Sequence, residues 1–216
     1  LLLDWGTKAG LQHRYALKDK LRFLQAIAYA MEHQRRSTLD EAELRELIAQ
    51  QLAEEKREHA DGLCEEIVHQ AGVLVYQGEG QGGYAFLSPI LQSHLAARWV
   101  VNNNLAASLV SWAEDPRWHD TLVLVASSLA DPRPFLEALQ THAQSEPYRW
   151  FLLAHCLAEL RERAPEMQAQ ISEALAALLE GEEERYWRPA AVALAGLERR
   201  SLREHLTALI RDPDPE

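Results

Sequence analysis

The sequence predicts a mainly α-helical chain in two parts: three helices and a β-hairpin, followed by an all-helical array. Three observations lead there. Apolar residues recur at three- and four-residue steps through most of the chain, the mark of amphipathic helices. The period changes only near residues 73–87, where Val73-Leu74-Val75-Tyr76 and Tyr84-Ala85-Phe86-Leu87 carry the β-branched and aromatic content of strands. Beyond Asn102-Asn103-Asn104 no convincing strand pattern returns.

Taken in order, Leu1–Trp5 reads as the end of a preceding helix, residues 1–6, and Gly6 and Gly10 mark a connection. With no initiator methionine and a terminus in mid-pattern, we expect a piece of a longer protein. Leu17, Leu21, Leu24, Ile27 or Ala28, and Met31 predict a helix over 17–34. Thr38 and Glu41 fit a capping box, hydroxyl to the helix amide and carboxylate back to the cap amide, so a second helix is expected over 39–56. A third, over 60–71, uses Leu63, Ile67 and Val68 and stops at Gly72. Gly78, Gly80, Gly82 and Gly83 then permit the tight, flexible turn of a two-stranded hairpin. Three helices and a hairpin in that order form a winged helix, with the hairpin as its wing, over residues 7–103. Ser88-Pro89 opens the helix that closes this part, serine as cap and proline in the first turn.

Residues 104–216 read as an α-helical array: 105–113, 118–130, 133–143, 148–163, 166–180, 187–197 and 202–211, punctuated by Pro, Asp or Gly. Short connections favour antiparallel neighbours. The pairs 148–180 and 187–211 have the size of units in a helical-hairpin solenoid; an irregular bundle is the alternative.

Charge narrows the functional classes. The chain carries 22 Lys and Arg against 33 Asp and Glu, a formal charge of −11. Nucleic-acid affinity is largely phosphate neutralisation, so nucleic acid is an improbable partner. One local basic face remains open for a DNA-binding winged helix: Arg14, Lys18, Lys20, Arg35 and Arg36. The helix that would read the groove, 60–71, carries Asp61, Glu65 and Glu66 with no Lys or Arg, which opposes phosphate. Cys64 and Cys156 sit in apolar helical patterns and suit buried thiols in a reducing compartment. No apolar run is long enough to span a membrane, so a soluble, cytoplasmic protein is expected.

Catalytic motifs are absent from the sequence. It holds no Gly-x-x-x-x-Gly-Lys-Ser/Thr, hence no amide nest and lysine for a nucleotide's phosphates. His59, Cys64 and His69 lack metal-ligand spacing. Ser88, His94 and Glu114 supply triad residue types without a nucleophile elbow. No catalytic, cofactor or metal residue is therefore assigned, and a small enzyme with a site built from unrelated loops is a minor alternative. Trp112, Trp118, Trp150, Phe151, Tyr186 and Trp187 cluster near helix ends; they serve either packing between hairpins or a partner surface, since exposed Trp and Tyr anchor interfaces.

At Tyr84-Ala85-Phe86-Leu87-Ser88-Pro89-Ile90-Leu91-Gln92-Ser93-His94-Leu95-Ala96-Ala97-Arg98 the sequence resembles the segment that closes the winged-helix subdomain of NACHT-type signal-transduction (STAND) NTPases. Phe86, Leu87, Gln92, Leu95, Ala96 and Ala97 match that pattern, whereas Ser88, Leu91, Ser93 and His94 depart from it. Leu1–Trp5 and Leu21–Met31 resemble the leucine-rich helix and first core helix of the same proteins, and Leu209–Glu216 is similar to a junction between HEAT-like repeats. The resemblance implies a switch. A nucleotide-binding core outside this sequence would bind ATP or ADP with Mg²⁺, the winged helix would brace the closed form against that core, and the array would sense an unknown protein or ligand. Many bacterial members act in defence; others regulate transcription or signalling. A standalone helical-repeat interaction module is the alternative that needs no such core.

Overall fold

The computed structural model describes residues 14–211 except 53, 70–71, 79–81, 142–146 and 161–163, with backbone alone at 54–56 and 198–211. It is mainly α-helical, with one antiparallel hairpin followed by a run of helices. The expected helix end at residues 1–6, the centre of the hairpin turn and the 212–216 repeat junction lie outside the described residues. The chain divides into two compact units, Leu1–Leu105 and Ala106–Glu216.

In the first unit, α1 (Leu17–His33), α2 (Glu41–Gln51) and α3 (Ala60–His69) precede β1 (Leu74–Gln77), β2 (Gly83–Phe86) and α4 (Pro89–Asn102). The buried stripe of α1 is Lys20, Phe23, Leu24, Ile27, Ala28 and Met31, while Leu17, expected at its head, is exposed. The helix ends in a Schellman motif. Arg35 takes a left-handed φ of 58°, and the amides of Arg35 and Arg36 return to the carbonyls of Glu32 and Met31. Asn104, at φ 56°, closes α4 the same way, with Leu105 N–H donating to Val100.

The second helix begins two residues later than the sequence suggests. Its cap is Asp40, whose carboxylate accepts from Glu43 N–H at 2.8 Å while Glu43 answers the Asp40 amide at 2.8 Å. Thr38 and Glu41 do not form the expected box because Leu39 is held as extended chain: it exchanges two backbone hydrogen bonds with Tyr84, at 3.0 and 2.7 Å. This bridge adds a third line of pairing beside the hairpin, whose register is Leu74 to Phe86 and Tyr76 to Tyr84. Gly83 is obligatory at that crossing, since a Cβ there would lie 2.9 Å from the Leu39 carbonyl oxygen. Helix α2 also stops at Gln51 rather than 56; Leu52 is extended and a 3₁₀ helix, Glu54–His59, leads into α3.

Helix α4 packs antiparallel on α1, tied by Asn102 to Gln25 at one end and Ser93 to Glu32 at the other. Pro89 occupies its first turn, but the Ser88 hydroxyl makes no capping bond. Phe23, Ile27, Met31, Leu44, Ile67, Leu74, Phe86 and Leu95 share one core.

The second unit holds α5 (Ala106–Leu109), α6 (His119–Ser128), α7 (Arg133–Thr141), α8 (Tyr148–Glu159), α9 (Pro165–Glu180) and α10 (Glu184–Arg211), with short 3₁₀ turns at Val110–Trp112 and Pro116–Trp118. Helix α8 packs against α6, α7, α9 and α10. Accordingly Arg149, Phe151, Leu152, Leu153, Ala154, Cys156 and Leu157 are all buried, more than one stripe's worth. Helix α10 corrects the expected pair 187–197 and 202–211: it is one helix of 28 residues. Residues 198–201 contain no terminator, and Pro189 removes one backbone bond in the second turn without ending the helix.

Candidate interaction surfaces

In a helix-turn-helix that reads DNA, the helix corresponding to α3 enters the major groove. Here its exposed residues include Asp61, Glu65 and His69, and its buried face is Leu63, Cys64, Glu66, Ile67 and Val68. Of the five basic candidates, Lys20 is buried, with Nζ donating to Glu66 Oε2 at 3.2 Å. Arg36 pairs with the Glu43 carboxylate through both terminal nitrogens, which holds the Glu43 carboxyl below its ordinary range. Arg14 and Lys18 are exposed near the start of α1, and Arg35 sits in the turn after it. Lys20 thus does not share an exposed surface with the other four.

The β2–α4 segment divides its side chains between two tasks. Phe86, Leu95, Ala96 and Ala97 are buried in the core, and Leu91 packs against it half-buried. Ser93 is buried and donates to Glu32 at 3.5 Å. By contrast Leu87 and Ile90 are 54% and 61% exposed. Three residues apart at the head of one helix, they present branched apolar side chains to solvent.

The family described as a winged helix-turn-helix domain C-terminal to NACHT matches residues 6–100. Residues 6–100 are a winged-helix domain of that kind. No curated protein and no solved structure matches the chain. A NACHT-associated winged-helix domain followed by a run of helices supports a regulatory or interaction role.

Beyond the winged-helix domain, the aromatic candidates separate by burial. Trp118 is fully buried, its ring 5.5 Å from the half-buried Trp112. Tyr186 is buried in a cluster with Phe151 and Tyr148, whose rings lie 6.3 and 5.6 Å away. Trp150 is half-buried. Trp187 is 41% exposed and donates its indole N–H to the Gly181 carbonyl at 2.9 Å, which fixes the ring at the mouth of the α9–α10 connection. Tyr148, 51% exposed, Val192 and Ile90 are exposed apolar residues that the sequence did not single out; Leu87, named there for its match to the family pattern, is exposed as well. Letters alone did not separate them from core residues; exposure is decided by neighbouring helices.

A groove of about 510 Å³ in the second unit is lined by Ala106, Val110, Leu129, Phe135, Ala138 and Asp131, among others. Its carboxylate, Asp131, caps α7 by accepting from Arg133 N–H at 3.1 Å. Opposed ionisable groups, which acid–base chemistry requires, do not line it. Among the described residues no group of three or more His, Cys, Asp or Glu is placed to hold a metal ion, and no helix is long and apolar enough to cross a membrane.

Proposed function

We propose that this chain is the noncatalytic regulatory part of a NACHT-type signal-transduction ATPase. The winged-helix domain docks on the nucleotide-binding core and relays its state; the helical unit, a HEAT-like array, engages the sensed partner. The observation that carries this reading is the Leu87–Ile90 patch, apolar and exposed, in the very segment whose buried residues build the domain core. Leaving two large aliphatic side chains half exposed forgoes about 1–1.5 kcal/mol each of burial, which docking recovers. ATP and Mg²⁺ belong, in this reading, to the core. Trp187 and Tyr148 are the anchors we assign to the partner surface, being rigid, amphipathic and already positioned.

The reading is tested by titrating the nucleotide-binding core that it places N-terminal to this chain into residues 1–216. Saturable binding is expected, weakened at least about tenfold by Leu87→Glu with Ile90→Glu and unchanged by Trp187→Ala. Equal binding by the wild type and the double variant would overturn the docking surface. The acidic outward side of α3 leads us to expect no salt-dependent binding of duplex DNA in the same assay.

A further inference from the structure

The chain reaches α1 through Arg14, Tyr15 and Ala16, which lie outside any helix; Arg14 is seated on α3, and Tyr15 on the junction between the 3₁₀ helix and α3. Glu66, buried on that helix, uses its two oxygens for two donors from the start of the unit. Oε1 accepts the Arg14 amide at 2.6 Å and Oε2 accepts Lys20 Nζ at 3.2 Å, the Lys20 and Glu66 side chains being 4% and 5% exposed. Tyr15 adds a second attachment. Its phenol donates to the His59 carbonyl at 3.4 Å, and its ring meets the His59 ring edge-on at 6.2 Å. A Cβ on Gly62 would lie 2.7 Å from the phenolic oxygen, so glycine at this position is what lets the ring lie against the helix.

We propose that Arg14–Tyr15 is a clamp through which the segment leading into α1 controls α3. The coupling is steep for a physical reason. A buried carboxylate that loses one donor has no water to replace it, so drawing Arg14 away costs Glu66 a buried hydrogen bond, and that cost falls on the helix that carries it. Loosening then falls on α3 before it reaches the hairpin or α4. The clamp's use as a relay rests on the function proposed above; its existence does not.

Amide hydrogen exchange on residues 1–216 tests it with two variants. Lys20→Met with Glu66→Leu fills the same space with apolar groups, which preserves a core that lost only an ion pair, yet removes the acceptor for Arg14. Tyr15→Ala removes the outer attachment, and with it one ring packed on the edge of the core, while keeping the Lys20–Glu66 pair. In the wild type the Arg14 amide should be protected. Both variants should raise exchange at Arg14 and across residues 59–66 at least about tenfold, with β1, β2, α4 and the second unit unchanged. An unprotected Arg14 amide in the wild type, or faster exchange at Arg14 with no change in α3, would overturn the clamp. Should the double variant fail to fold, Tyr15→Ala decides alone by the same criterion. Core binding is measured separately: its absence alongside the expected exchange pattern would sink the relay and leave the clamp standing, and the reverse would sink the clamp alone.

Discussion

Two buried cations meet opposite circumstances. Lys20 lies against the equally buried Glu66. Among the described residues Arg149 reaches the 64% exposed carboxylate of Glu114, at 3.1 Å, while its Nε and Nη1 are buried with no hydrogen-bond partner. Unsatisfied buried donors cost about 1–3 kcal/mol. Arg149→Met should therefore raise the stability of the second unit by about 1 kcal/mol in urea unfolding, because the carboxylate left behind is already solvated. A loss of similar size would contradict this. Burial also pushes the Cys156 thiol up to about 12 from an ordinary 9.0. Its neutral form stabilises the fold below pH 9, and that contribution is lost as pH rises from 9 towards 12. Alkylation at pH 9 should accordingly spare Cys156 in the native protein and label it on unfolding. At this scale the sequence was least legible. Lys20 and Arg149 read as surface charges by type, although Lys20 stands three, four and seven residues before the buried Phe23, Leu24 and Ile27, a spacing that marks it as part of the stripe.

Among the elements, those set by local chemistry were the ones the sequence revealed: α1, α3, both strands and α4 lie within a few residues of their expected bounds. Where a distant partner intervened, expectation slipped. Leu39 is drawn into backbone pairing with Tyr84, forty-five positions away, and nothing in the local letters reports that. The displaced cap gives a direct check. Asp40→Ala should cost about 1 kcal/mol in thermal or urea unfolding, whereas Thr38→Ala should cost far less; equal losses would return the cap to Thr38. Helix α10 slipped for the opposite reason. The expected break at 198–201 has neither Pro nor a left-handed residue to stop the chain, and a Cβ at Gly196 would meet nothing within 4 Å, so no close packing there interrupts the helix.

For the whole molecule, the change of architecture near Asn104 follows from sequence because both its causes are local: the strand-type hairpin on one side, and on the other the asparagine that accepts a left-handed turn. The surfaces are different. Leu87 and Ile90 carry the same letters as the core residues around them, and only the seating of α4 on α1 decides that they face solvent. That exposure is the centre of the functional account. The most direct test is ATP turnover by the longer protein that the proposed function implies, carrying Leu87→Glu with Ile90→Glu. If the winged-helix domain braces the nucleotide-binding core through this patch, turnover or nucleotide exchange should rise at least about tenfold over wild type. Rates indistinguishable from wild type, in a variant whose hydrogen exchange shows an intact fold, would contradict the account.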